Sequence, residues 1–195
     1  MGRTLLALVL LLLPLLMLFM PVIAAGGSEV LSHPLADTRL QFVQLRGFFS
    51  EELHAGRMPL WNPYLLGGVP YVGGGISAIF LPLNLLCFTL LPLSVALNVI
   101  LAVQMLLAGV FMFWFLREVD VCRFGALTGG LVFMLSSVFV HRVFAGHHSD
   151  VAVWCWAPAL FALAERHLRT GSSGSGLAAA AVYAMMIFAG HPQQQ

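Results

Sequence analysis

The sequence predicts an all-α protein, a polytopic membrane helix bundle with a long outer first loop that carries interfacial helices. Three observations lead there. Hydrophobic residues make up 60% of the 195 and charged residues only 9%, whereas a soluble domain carries about a quarter charged residues. The mean hydropathy is +0.94. The apolar residues fall into long runs, and only the segment from Ser32 to Gly75 is extended and mixed; it holds Asp37, Glu51 and Glu52, three of the eight acidic residues. A formal net charge of +1, without a single lysine, gives no case for a nucleic-acid partner. Cys87, Cys122 and Cys155 lie in or beside apolar runs without paired spacing, as small buried hydrophobes do.

Residues 4–24 are apolar over a length that crosses about 30 Å of hydrocarbon. Val22-x-Ala24 resembles a signal-peptidase site, but the apolar core exceeds the usual h-region of about 7–15 residues. The expectation is therefore an uncleaved first span, an outer loop over 25–75, and further spans at 93–116, 126–144, 151–164 and 177–189. The whole of 1–195 forms one transmembrane domain, expected to be the beginning of a longer protein.

Residues 76–92 are nearly long enough to span, but Pro82, Asn84 and Pro92 interrupt them. Charge decides their placement. A full crossing would put Arg117, Arg123, Arg166 and Arg169 outside. A re-entrant or interfacial segment puts all four with Arg3 in the cytoplasm, as the positive-inside rule prefers. That choice also brings the first loop, Gly146–Asp150 and the stretch 190–193 to one outer face.

Within the loop, His33-Pro34 suits a helix start, and Phe42, Leu45, Phe49 and Leu53 then fall on one helical face. Asp37, Gln41 and Gln44 form a polar stripe beside it, the pattern of a helix lying on a membrane surface. Gly56 ends the helix and Met58-Pro59 turns the chain. Asp37 has two readings: a helix cap favoured by the dipole, or an outer-face carboxylate acting as a base or holding a divalent cation. Glu51 and Glu52 read as a solvated face. Trp61 and Tyr64 read either as an interfacial aromatic belt or as a platform for a sugar or lipid headgroup. His147, His148 and Asp150 suggest interfacial hydrogen bonding or substrate contact. Adjacent histidines on a helix point about 100° apart and chelate poorly. His191 reads as a membrane-exit cap or a polar pocket contact.

Asp37 with Gln41, then the string Gly56-Arg57-Met58-Pro59-Leu60-Trp61-Asn62-Pro63-Tyr64, then Gly67-Gly68-Val69-Pro70, resembles the YfhO-type bacterial membrane proteins. Trp156-Ala157-Pro158 and Ala189-Gly190-His191-Pro192-Gln193 are similar too, so the resemblance runs along nearly the whole chain and covers the N-terminal portion of such a protein. That family is similar to the GT-C glycosyltransferases, which implies a GT-C-like fold in the bacterial inner membrane. It also implies a polyprenyl-phosphate-linked sugar as donor, with membrane lipid around it and a cell-envelope acceptor on the outer face. A loop acid acts there as catalytic base or metal ligand, and Asp37 is the matching position. The paired-acid motif of many relatives is absent, since residue 39 is Arg.

On this reading the catalytic candidate is Asp37. The substrate-binding candidates are Gln41, Arg57, Trp61, Asn62, Tyr64, His147, His148, Asp150, His191 and Gln193. Arg39, Arg46, Arg57 and Arg142 are the cations available to a leaving phosphate. Two other classes compete: a transporter or lipid-handling protein, and a non-catalytic membrane subunit whose loop docks a partner.

Overall fold

The computed structural model describes residues 2–74 and 78–189. Helix accounts for 73% of the chain and strand for 2%, so the all-α class holds apart from one small hairpin. The helices are α1 (Gly2–Ala24), α2 (Val43–His54), α3 (Pro82–Leu90), α4 (Leu93–Glu118), α5 (Arg123–Met134), α6 (Ser137–Ala145), α7 (His148–Trp154), α8 (Ala157–Thr170) and α9 (Ser173–Phe188). Two segments, Leu93–Glu118 and Arg123–Ala145, are long and apolar enough to cross a membrane.

Helix α4 is the centre of the assembly. Helix α1 runs antiparallel to it: Gly27, just beyond the end of α1, faces Val95 near the start of α4, while Leu11 reaches Gly109. Helices α4 and α5 approach through glycine. A Cβ on Gly130 would lie 2.7 Å from the Gly109 carbonyl oxygen, so the two backbones touch where a larger residue would hold them apart. Leu11, Leu15, Phe19, Leu101, Met105 and Met134 fill the space around this crossing.

Helix α8 lies parallel to α4, since Phe111 meets Trp156, Phe115 meets Phe161, and Glu118 meets Arg169 at 3.4 Å. Gly171, with φ +66°, ends α8 in the left-handed conformation that glycine adopts without strain. Ser172 then caps α9 by accepting from the Ser175 N–H. The helix directions therefore place Arg117, Arg166 and Arg169, with Arg123 at the start of α5, at one end of the assembly. The first loop and the α6–α7 corner lie at the other.

Two expected spans are broken. Residues 126–144 divide into α5 and α6 at Leu135–Ser136, where Ser136 is extended (ψ 153°) and leads into a second helix. Residues 151–164 divide into α7 and α8 at Cys155–Trp156, just before Pro158 in the first turn of α8. Residues 76 and 77 lie outside the described residues. From Leu81 the chain enters α3 with Pro82 in the first turn, a position that needs no N–H partner. Nine residues of α-helix extend about 14 Å, under half of a bilayer's hydrocarbon.

The loop helix begins later than His33-Pro34. Those residues form a turn, with the Ala36 N–H donating to the His33 carbonyl at 3.0 Å. The helix opens with a wide π-turn over Thr38–Phe42 before settling into α2. Its apolar side is covered by protein: Phe49 is fully buried and packs on Phe88 of α3 and on Tyr71. Where the alternative is water, each such ring contributes about 1.5–3 kcal/mol. After Gly56 (φ +70°) the chain forms the antiparallel hairpin β1 (Trp61–Asn62) and β2 (Val69–Pro70), which the all-helical expectation omits.

Candidate functional site

The site forms where the start of the loop helix meets the α6–α7 corner. Asn98 on α4 holds the approach. Its Oδ1 accepts from the Leu31 N–H at 2.9 Å, and its Nδ2 donates to the Glu29 carbonyl at 2.7 Å. Two residues on, the His33 N–H donates to the Phe144 carbonyl at 3.0 Å, joining the loop to the end of α6. Gly146 ends α6 with φ +90°, and its missing side chain is what lets the loop pass. A Cβ there would lie 2.6 Å from Thr38 Oγ1 and 3.1 Å from the Asp37 carbonyl carbon.

Asp37 stands at the helix N-cap position, but its side chain makes no capping hydrogen bond. Its carboxylate instead faces His147, with Oδ2 3.5 Å from Nε2, and both side chains remain about half exposed. The other ring nitrogen of His147, Nδ1, lies 3.8 Å from Asp150 Oδ2. The same Asp150 oxygen accepts from Arg142 Nε at 3.0 Å, and the Arg142 guanidinium lies over the Trp154 ring at 5.2 Å. The order of charges is thus carboxylate, imidazole, carboxylate, guanidinium. Solvent reaches the Asp37 end, while Asp150 is buried.

His148 turns the other way. It is buried, stacks on Phe42 with centroids 5.2 Å apart, and shares a 3.0 Å hydrogen bond between its Nε2 and Thr38 Oγ1. Burial, with the charges of Arg46 and His147 near it, pushes its pKa down to about 3. His148 therefore holds the loop helix against α7 as a neutral ring. The two histidines point apart, one to solvent and one to the core.

Arg46 is 4% exposed, with its guanidinium 6.0 Å from the Phe42 centroid and 5.9 Å from that of Phe88. Asn84, Gln104, His148 and Ser149 line the same small cavity. Burial pulls its pKa below the usual arginine value. The sequence carries a signal for this, because position 46 falls between Phe42 and Phe49 on the apolar face.

The remaining candidates are spread out. Arg57 is turned to Glu52 in a two-pronged pair, Nε to Oε2 at 2.8 Å and Nη2 to Oε1 at 2.7 Å. Arg39 pairs with Glu29 at 2.8 Å. Trp61 lies against Gly68, where a Cβ would come within 2.7 Å of its ring. Asn62 is buried and accepts from the Tyr64 N–H at 2.9 Å, an Asx turn that shapes the loop. Tyr64 and Gln41 are exposed. His191 and Gln193 lie outside the described residues. Thr38 and Gly146 were not legible as site residues, since neither carries a chemical signature in the sequence.

Among the described residues no three of His, Cys, Asp and Glu gather into a metal-binding group. Comparison with known proteins finds no matching family model, no matching curated sequence and no matching solved structure.

Proposed function

We propose that this chain belongs to a multi-pass membrane glycosyltransferase of GT-C-like build, set in the bacterial cytoplasmic membrane with the Asp37 end outward. It moves a sugar from a polyprenyl-phosphate donor to a cell-envelope acceptor. The reading rests on the motifs that resemble those of YfhO-type proteins. In support stand two apolar segments of membrane-crossing length, the second bent between α5 and α6, and the gathering of Arg117, Arg123, Arg166 and Arg169 at the end opposite the loop. The observation that carries it is the Asp37–His147 contact: an uncapped, half-exposed carboxylate with an imidazole 3.5 Å away.

The chemistry is an inverting displacement. The acceptor hydroxyl oxygen bonds to the sugar's anomeric carbon while the bond from that carbon to the lipid-phosphate oxygen breaks. The electron pair leaves with the phosphate, and the hydroxyl proton passes to Asp37. His147 orients the carboxylate and steadies its charge. Arg142, fixed by Asp150 and by the Trp154 ring, is the cation linked to this pair, and it suits the phosphate's developing charge.

The test is consumption of a polyprenyl-phosphate-linked sugar by the full-length protein in proteoliposomes, with Asp37→Asn beside it. A positioned base contributes about 10²–10⁴-fold, so the variant should lose at least two decades of rate with an unchanged melting temperature. Wild-type turnover matched by Asp37→Asn would remove Asp37 from the mechanism.

A further inference from the structure

We infer that the cleft between α2 and the Asn62–Leu65 turn binds a neutral polyhydroxylated group, the ring of a sugar. The cleft measures about 510 Å3, within the range of about 300–1,000 Å3 typical of small-molecule sites. Gln41, Gln44, Phe48 and Glu51 form its floor, and Asn62 and Tyr64 its wall. Gln44, Phe48 and Glu51 follow at i, i+4 and i+7, so one face of α2 presents an amide, a ring and a carboxylate in a row.

The lining selects the ligand. Among the described residues no Arg or His lines the cleft, and the nearby cations Arg39 and Arg57 are engaged with Glu29 and Glu52. A phosphate would meet the Glu51 charge with nothing to balance it. A sugar ring presents hydroxyls at its edge and C–H groups on its face. The Gln41 and Gln44 amides and the Glu51 carboxylate, which hold no partner among the described residues, can take the hydroxyls. Phe48, Tyr64 and Leu65 offer an apolar surface to the C–H face.

The cleft is also built to keep its shape. The Tyr71 hydroxyl donates to the Leu45 carbonyl at 2.7 Å, tying the hairpin to α2. The Phe48 ring meets Tyr71 at 5.3 Å and Tyr64 at 6.1 Å, both edge-on. Naming the bound ring as the acceptor rests on the transferase reading, whereas the binding site itself does not.

The test is saturation-transfer NMR on the full chain in nanodiscs, using the methyl glycosides of glucose, galactose, mannose and N-acetylglucosamine, with ethanolamine as the cationic control. At least one glycoside should bind, and Gln44→Ala and Glu51→Ala should each weaken it by about tenfold, the loss expected for a hydrogen bond to a polar or charged partner. Arg123→Ala, at the start of α5 and the far end of the assembly, should bind as wild type does. Binding of no glycoside, equal binding by both cleft variants, or binding of ethanolamine in place of sugars would overturn the assignment. Glycoside binding without any sugar transfer would leave the cleft standing and count against the transferase instead.

Discussion

His147 Nε2 lies 3.5 Å from Asp37 Oδ2, and Gly146 is what allows it. The left-handed turn at Gly146 reverses the chain out of α6 and sets His147 beside the first residue of the loop helix. The same glycine leaves room for the Thr38 backbone. Catalytic candidate and structural corner are therefore one feature, and they can be separated by mutation.

Gly146→Ala meets two penalties at once. An alanine at φ +90° is strained, and its Cβ would press on Thr38 Oγ1 at 2.6 Å and on the Asp37 backbone. The expected loss is about 2–4 kcal/mol, from left-handed strain of about 1–2 kcal/mol plus displacement of a packed loop. Thermal unfolding in detergent reads it. A variant as stable as wild type would mean the loop does not pack on this corner.

His147→Gln keeps a hydrogen-bond donor near Asp37 but cannot carry positive charge. If His147 orients the Asp37 carboxylate, kcat should fall about tenfold with KM nearly unchanged, and the same substitution should cost almost nothing on an Asp37→Asn background. A merely structural role would cost as much on either background. Both side chains are half exposed, so the fold should be indifferent to the change.

His148 makes stability depend on pH. Its folded pKa is depressed to about 3 by burial, against about 6.5 for an unfolded histidine. Between those values the unfolded chain binds a proton that the native chain refuses, so stability falls as pH drops from about 6.5 toward 3, by at most about 1.4 kcal/mol per pH unit. His148→Phe keeps a ring against Phe42 and removes the titration. It should flatten that part of the melting-temperature profile while losing the Thr38 bond. An equally steep profile in the variant would assign the slope to another group.

What could be read from the sequence followed its periodicities and its charges. Helix α4 was legible because residues 93–116 are apolar apart from Ser94, Asn98 and Gln104. The loop helix was legible from the spacing of Phe42, Leu45, Phe49 and Leu53. The breaks at Ser136 and at Cys155–Trp156 were not, because an apolar run reads alike whether one helix or two fill it. The hairpin of Trp61–Asn62 with Val69–Pro70 is too short to show alternation. Charge grouping proposed that Asp37 and His147 share an end, yet distance came only from the fold. Arg46 stands between these cases: its place on the apolar face with Phe42 and Phe49 was legible, whereas Phe88 on α3 and His148 on α7, which close over it, came only from the fold.

The two ends of the assembly make the membrane reading testable without any substrate. Arg57 is exposed in the loop, and Ser173 is exposed beside the Arg166–Arg169 cluster. Single cysteines at these positions should react with a membrane-impermeant maleimide from opposite sides of oriented vesicles. The exposed Cys122 must first be removed, and Cys122→Ser suits, because the position caps α5 through a bond from the Gly125 N–H, a role serine fills well. Arg57→Cys gives up only a surface ion pair, which solvent screens. Reaction of both positions from one side would put Asp37 and the arginine cluster in the same compartment, and a lipid-linked donor could not then be handled on the outer face alone.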